Sequence, residues 1–295
     1  MNKILVTGAT GHLGAAVASF LLNKTNPSNI AVLVRDADSA RAKEFKASGI
    51  DVRKGDYNNY NSLISAFNGI DKLYFVSSND IVNRNKQHEN VVNASKEAGV
   101  KHVLYTSIPR KNETASSPIA MITDSHIKTE NWLKESGLKY TFLKHNIYMD
   151  MLPIFLGDKL LETGVAYFPA GDGKVGFTLR NDMAELAAAI LTSEGHENKS
   201  YDITNNKAVS FSEIASDISK VSDKKINYVS PSHEEFIKTL SSAGVPMEYT
   251  EMFAGFGEGF KQGELDQTNN FIETLIDRKP LSVNQFLSQI YSSKK

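Results

Sequence analysis

Apolar residues follow two spacings over the first half of this chain. Short, mostly apolar runs stand at 4–6, 30–34, 72–76, 101–105 and 138–143. Runs of that length read as strands buried on both faces. A weaker strand over 49–57 passes into a loop. Between the runs, apolar positions take helical spacing. They do so over 15–22, briefly over 38–42, and through Ser62, Leu63, Ile64, Ala66 and Phe67. They do so again over 82–98, with Val91, Val92, Ala94 and Ser95 inward, and over 121–136, with Trp132 and Leu133 packing and Gly137 ending the helix. Strand and helix in alternation predict an α/β fold, a doubly wound parallel sheet with helices on both faces.

Past residue 150 the alternation breaks. The pattern predicts an apolar helix over 151–161, a loop at 170–174, a short strand over 175–179 and a strand over 201–204. Asn181 or Asp182 caps a helix over 183–191, and Ser210 with Glu213 forms a capping box for another. The rest is helical and irregular, with a glycine-rich piece at 255–259. The expected division is a dinucleotide-binding domain over 1–150. Residues 151–295 form mainly a smaller substrate lobe that closes over the cofactor crevice, with some segments returning to the sheet.

The first run leads into Thr7-Gly8-Ala9-Thr10-Gly11-His12-Leu13-Gly14 and then a helix. Strand, glycine turn and helix make a dinucleotide site. Gly8 allows the turn, Gly11 lets backbone approach a pyrophosphate, and Gly14 lets the helix pack close to the sheet. The second strand ends in Arg35-Asp36. Arginine there suits the 2′-phosphate of NADP, whereas an acid would hold the ribose of NAD. Asp36 fits a ribose contact or a helix cap. Asp56 likewise fits an adenine contact or a cap. Ser77, Ser78 and Asn79 follow the fourth strand, and Ser107 ends the fifth. Small polar residues at the carboxyl ends of parallel strands line the ligand crevice of such sheets.

Composition narrows the chemistry. The chain has 295 residues and a net charge of −1, so it presents no strongly basic surface for nucleic acid or an anionic membrane. It has no cysteine, which excludes disulfides, thiolate catalysis and cysteine metal sites. No His, Asp or Glu grouping has metal spacing, and no G-x-S-x-G surrounds Ser107. Neither a leader pattern nor a membrane-length apolar run stands out, so a cytoplasmic location is expected. Either a monomer or a homodimer is compatible with the sequence.

The turn at 7–14 resembles that of the atypical short-chain dehydrogenase/reductases, the NmrA-like group in particular. Val34-Arg35, Gly55-Asp56-Tyr57, Phe75-Val76-Ser77, Tyr105-Thr106-Ser107, Tyr140-Thr-Phe-Leu-Lys144, Ala170-Gly-Asp-Gly-Lys174 and the stretch 194–201 narrow it. They are similar to the branch of quinone oxidoreductase type 2 and triphenylmethane reductase. The resemblance implies a Rossmann domain that prefers NADPH and uses neither flavin nor metal. Gly8, Thr10, Gly11, His12 and Leu13 would hold the pyrophosphate, and Arg35 the 2′-phosphate. Asp56 and Tyr57 would lie near adenine, Ser77 and Ser78 on the ribose and nicotinamide side with Ser107 in the same crevice, and Lys144 to Tyr148 beside the nicotinamide. Relatives often carry Arg-Asn where this chain has Lys144-His145.

The main branch of that superfamily uses a Tyr-x-x-x-Lys pair on the helix after the fifth strand, and this chain has none there. His126 and Glu130 take the corresponding stretch, four apart on one helical face. They fit a proton shuttle or a plain surface pair. A quinone or similar small aromatic acceptor needs little acid help, because the charge it takes is delocalised. Lys144 fits stabilisation of an acceptor oxygen, or contact with the cofactor ribose. Asn146 or Tyr148 would orient the ring, and His145 and His126 complete the catalytic candidates. Tyr148, Phe155, Tyr167 and Phe168 fit a substrate wall or ordinary core. His88 and His102 read as structural or surface residues. Two functions follow: an NADPH-dependent, flavin-free reductase that passes a hydride to a conjugated electrophile, or a non-catalytic NADP-binding redox sensor.

Overall fold

Ile4, Leu5 and Val6 are buried, and as β1 (Ile4–Val6) they lie inside the sheet. The computed structural model describes residues 2–292; Met1 and 293–295, the extremities of the two expected domains, lie outside them. After β1 come α1 (His12–Leu22), β2 (Ile30–Val34), α2 (Ala40–Ala47), β3 (Asp51–Lys54) and α3 (Tyr60–Phe67). Then follow β4 (Lys72–Phe75), α4 (Arg84–Glu97), β5 (His102–Ser107), α5 (Ala120–Glu135) and β6 (Lys139–His145). Next are α6 (Leu152–Leu156), α7 (Leu160–Thr163), β7 (Val165–Tyr167), β8 (Lys174–Val175), α8 (Arg180–Leu191) and β9 (Lys199–Ile203). The chain ends through β10 (Val209–Ser210), α9 (Phe211–Ser222), β11 (Asn227–Val229), α10 (His233–Ser242), α11 (Met247–Lys261), α12 (Phe271–Ile276) and α13 (Val283–Tyr291).

Two compact units emerge. The first runs to Ile108 and takes in Asp124–Lys144 and Arg180–Asp202. Its sheet has the order β3-β2-β1-β4-β5-β6-β9, and the pairings from β3 across to β6 are parallel. This is the doubly wound Rossmann arrangement, with the order reversing between β1 and β4. Leu63, Phe67, Val91, Val92 and Leu133 from α3, α4 and α5 join Leu5, Leu73, Phe75 and Phe142 in one core. Alanines at 184, 187 and 188 keep α8 slim where it packs on α1.

The second unit is Pro109–Thr123, His145–Leu179 and the chain from Ile203 onward. It holds two small sheets, β8 with β10 and β7 with β11. Its core is aromatic: Phe155, Phe168, Phe211 and Phe260 pack with ring centroids 4.7 to 6.4 Å apart.

Several element ends differ from expectation. Helix α1 starts at His12 because Gly11 serves as its N-cap. Ser39 and Asn59, rather than Asp36 and Asp56, cap α2 and α3. The expected helix over 151–161 is broken at Gly157, whose φ of 80° no helix accommodates. The strand expected over 175–179 is only the two-residue β8, and α8 takes in both Asn181 and Asp182 instead of being capped by them. The piece at 255–259 is helical, inside α11. There a Cβ on Gly255 would lie 2.7 Å from the Pro118 carbonyl oxygen, and one on Gly257 2.6 Å from the Pro169 ring. Those glycines serve close packing rather than a turn.

Candidate functional site

In the first unit, the carboxyl ends of β1, β4, β5 and β6 lie in one row. The register pairs Val6 with Tyr74, Phe75 with Tyr105, and Ser107 with Lys144. The glycine turn stands at one end of this row. Gly8 has φ of 60°, which only glycine adopts without strain, and Gly11 carries no side chain to cap α1. No acid lies in the first turn of α1, so its leading N–H groups can serve an anion. Gly8, Thr10, Gly11 and His12 are exposed there, and Leu13 is buried beneath them. These residues fit a pyrophosphate.

Arg35 is exposed just past β2 and has no ion-pair or hydrogen-bond partner among the described residues. Asp36 instead closes its own loop, Oδ1 accepting the Asp38 N–H at 2.9 Å. Asp56 likewise accepts the Asn58 N–H at 2.8 Å. Ser77 Oγ accepts from Thr106 Oγ1 at 3.2 Å, and Ser78 Oγ accepts the Asp80 N–H at 3.1 Å. Neither serine hydroxyl donates to another described residue, so each keeps a hydrogen for a ligand. Lys144 is half-buried with no partner among the described residues.

Other expected residues have different surroundings. The Tyr57 hydroxyl donates to the Val76 carbonyl at 2.8 Å and bonds Thr7 Oγ1 at 2.5 Å. Burial pushes its pKa up. The phenol braces the end of β4, leaving no hydroxyl for adenine. Ser107 is buried, its Oγ donating to Glu130 Oε1 at 2.5 Å. His126 Nδ1 meets the Tyr105 hydroxyl at 2.7 Å. His126 and Glu130 are therefore not a surface pair: they are 5% and 3% exposed. Four residues of helix rise about 6 Å and two of strand about 6.6 Å, so this spacing on α5 matches Tyr105 and Ser107 on β5.

The second unit holds the remaining candidates. Asn146 is buried, and its amide donates to Thr204 Oγ1 and the Leu265 carbonyl while its oxygen accepts the Ile147 N–H. It is fixed within this unit, with both amide hydrogens committed. His145 is 3% exposed, and neither ring nitrogen has a partner among the described residues. Desolvation holds its pKa at about 3, so the imidazole is neutral at neutral pH. Tyr148 lies edge-on to it at 6.3 Å. Phe155 and Phe168 are core, at 4% and 1% exposure, and Tyr167 stacks on Phe236. A cleft of about 310 Å³ is lined by Ile119, Met121, Ile122, Ile237 and Met252, with His233 and Glu251 as its polar residues. Sequence reading missed it because its walls come from three distant stretches. It also passed over Thr7 and Thr106, which hold the end of β4 together with His88, a buried structural residue.

Among the described residues no group of His, Cys, Asp or Glu could hold a metal ion, and no helix is long and apolar enough to cross a membrane. A family model described as the NmrA-like family matches residues 1–287. Quinone oxidoreductase 2 of Escherichia coli is 34% identical over 289 residues, 98% of this chain and 99% of the relative. A crystal structure of an NADPH-dependent quinone oxidoreductase from that organism, complexed with NADPH, aligns with a TM-score of 0.91 over 98% of this chain and 100% of that one. Triphenylmethane reductase of Citrobacter sp., complexed with NADP(H), aligns with a TM-score of 0.87 at 36% identity, covering 97% of this chain and 99% of that one. The negative transcriptional regulator NmrA, with NADP, shares the fold at 16% identity, a TM-score of 0.76, and coverage of 98% of this chain and 95% of that one.

Proposed function

The chain belongs to the NmrA-like family, and from that premise we propose that it is an NADPH-dependent reductase acting without flavin on a quinone or a similar conjugated acceptor. The observation that carries the cofactor half is the unpartnered Arg35 one residue past β2, together with an α1 terminus that has neither a side-chain cap nor an acid in its first turn. The acceptor class is supported by the quinone oxidoreductase, 34% identical across 98% of the chain.

Bound NADPH would supply a hydride to the acceptor. The turn at Gly8, Thr10, Gly11, His12 and Leu13 would hold the pyrophosphate, Arg35 the 2′-phosphate, and Asp56 the adenine side. Ser77 and Ser78 would donate to the ribose and nicotinamide side. Lys144, a cation with no internal partner, would offset negative charge gathering on an acceptor oxygen. Tyr57, Ser107 and Asn146 take supporting places.

The absence of Tyr-x-x-x-Lys on α5 favours a second reading, an NADP-binding redox sensor. The two separate by the near-ultraviolet absorbance of NADPH in the presence of simple quinones. Steady oxidation that disappears in Gly11→Asp supports the reductase. That variant should fold, because a Cβ at Gly11 has nothing nearer than the Gly8 oxygen at 3.4 Å. Tight NADPH binding with no turnover on any acceptor supports the sensor and overturns the reductase.

A further inference from the structure

Beyond β4 the chain continues through Val76, Ser77 and Ser78 outside the sheet ladder. Among the described residues no strand pairs with these three, yet each backbone N–H is taken by a side chain. Val76 N–H donates to Thr7 Oγ1 at 2.9 Å, Ser77 N–H to Thr106 Oγ1 at 2.8 Å, and Ser78 N–H to His88 Nε2 at 2.9 Å. The anchors come from the turn after β1, from β5 and from α4. Two are hydroxyls, which can rotate and exchange donor and acceptor roles. The third is an imidazole, which accepts only in its ring plane and only at its unprotonated nitrogen.

The surroundings of His88 fix that ring. It is fully buried, and Phe75 and Tyr105 lie edge-on to it at 4.9 and 5.7 Å. Because Nε2 accepts from Ser78, the ring proton sits on Nδ1, 2.8 Å from Thr129 Oγ1. Thr129 donates in turn to the Ser125 carbonyl at 2.6 Å, which leaves its lone pairs for His88. Burial holds the His88 pKa at about 3, so the accepting tautomer persists at neutral pH. Ser77 and Ser78 are themselves half-buried and Asn79 is exposed. The segment is thus held rigidly from beneath while its outer side stays open, as a ligand-lining turn requires.

We propose that His88 is a positioning residue for the nicotinamide half of the cofactor. It fixes the Ser78 amide and so the Ser77–Ser78 hydroxyls, and it has no part in holding the adenosine half. The inference rests on reading the carboxyl ends of the first unit's strands as the NADPH crevice.

The test uses two polar variants of the full chain that split the two ring nitrogens. Asn at 88 reaches the Nδ1 position and can keep the Thr129 bond, but leaves the Ser78 N–H unanswered. Gln reaches the Nε2 position and can accept from Ser78. Calorimetric titration with NADPH and with adenosine 2′,5′-bisphosphate, which carries only the adenosine half, reads the outcome. His88→Asn should weaken NADPH about tenfold, the size of one net hydrogen bond, and leave the bisphosphate within about twofold. His88→Gln should stay within about threefold of wild type for both ligands. Equal NADPH affinities for the two variants, or equal weakening of both ligands in His88→Asn, would overturn the proposal. Wild-type protein that fails to bind NADPH would instead overturn the cofactor reading, and this inference with it.

Discussion

Arg35 and Asp36 are neighbours with opposite surroundings: the acid is folded into its own loop, and the guanidinium stands unpartnered. A charged hydrogen bond to phosphate contributes about 1.5–3 kcal/mol, so Arg35→Glu should raise the Kd of NADPH roughly 10- to 150-fold. NADH should change only a few-fold, and equal loss of both would show that Arg35 does not read the 2′-phosphate. Arg35 was legible from sequence because its setting is local, one residue past an apolar run. Tyr57, Ser107 and Asn146 were not. Their partners Thr7, Glu130 and the Leu265 carbonyl lie 50, 23 and 119 residues away. A hydroxyl or amide in a motif looks available until the fold supplies its neighbour.

At the level of elements, the glycine turn is two different constraints. A Cβ on Gly14 would lie 2.4 Å from the Gly8 carbonyl oxygen and 2.8 Å from that of Thr7, and neither backbone atom can swing aside. Overpacking of this kind costs about 1–3 kcal/mol, so Gly14→Ala should lower the melting temperature by roughly 3 to 10 °C. Gly11→Ala, with its nearest contact at 3.4 Å, should leave it nearly unchanged. Identical melting curves for the two variants would refute this division. Strands and helices of the first unit were legible because burial on both sheet faces gives continuous apolar runs. The second unit was less so. Its two small sheets are built from strands of two or three residues, too short for periodicity to register. Its glycines at 255–259 mimic a loop while serving helix packing.

For the molecule as a whole, buried neutral histidines set the response to acid. His88 and His145 have pKa values lowered from 6.5 to about 3 by desolvation, so the unfolded chain binds their protons first. Stability is then full above about pH 6.5 and falls as pH drops toward 3, by about 2 kcal/mol per histidine at pH 5. Urea unfolding should show a clearly lower midpoint at pH 5 than at pH 7.5, and a flat profile across that range would contradict the buried, neutral state of these rings. Protonation of the partnered carboxylates Asp71 and Glu213, whose pKa values are lowered, deepens the loss only at more acid pH. In the proposed function, reducing equivalents pass directly from NADPH to a conjugated acceptor on this chain. This transfer is tested most directly by turnover with NADPH deuterated at the transferable position, using purified protein whose visible spectrum shows no flavin. A primary isotope effect on quinone-dependent NADPH oxidation is the predicted result; turnover that appears only when flavin is added, or no turnover despite tight NADPH binding, would contradict it.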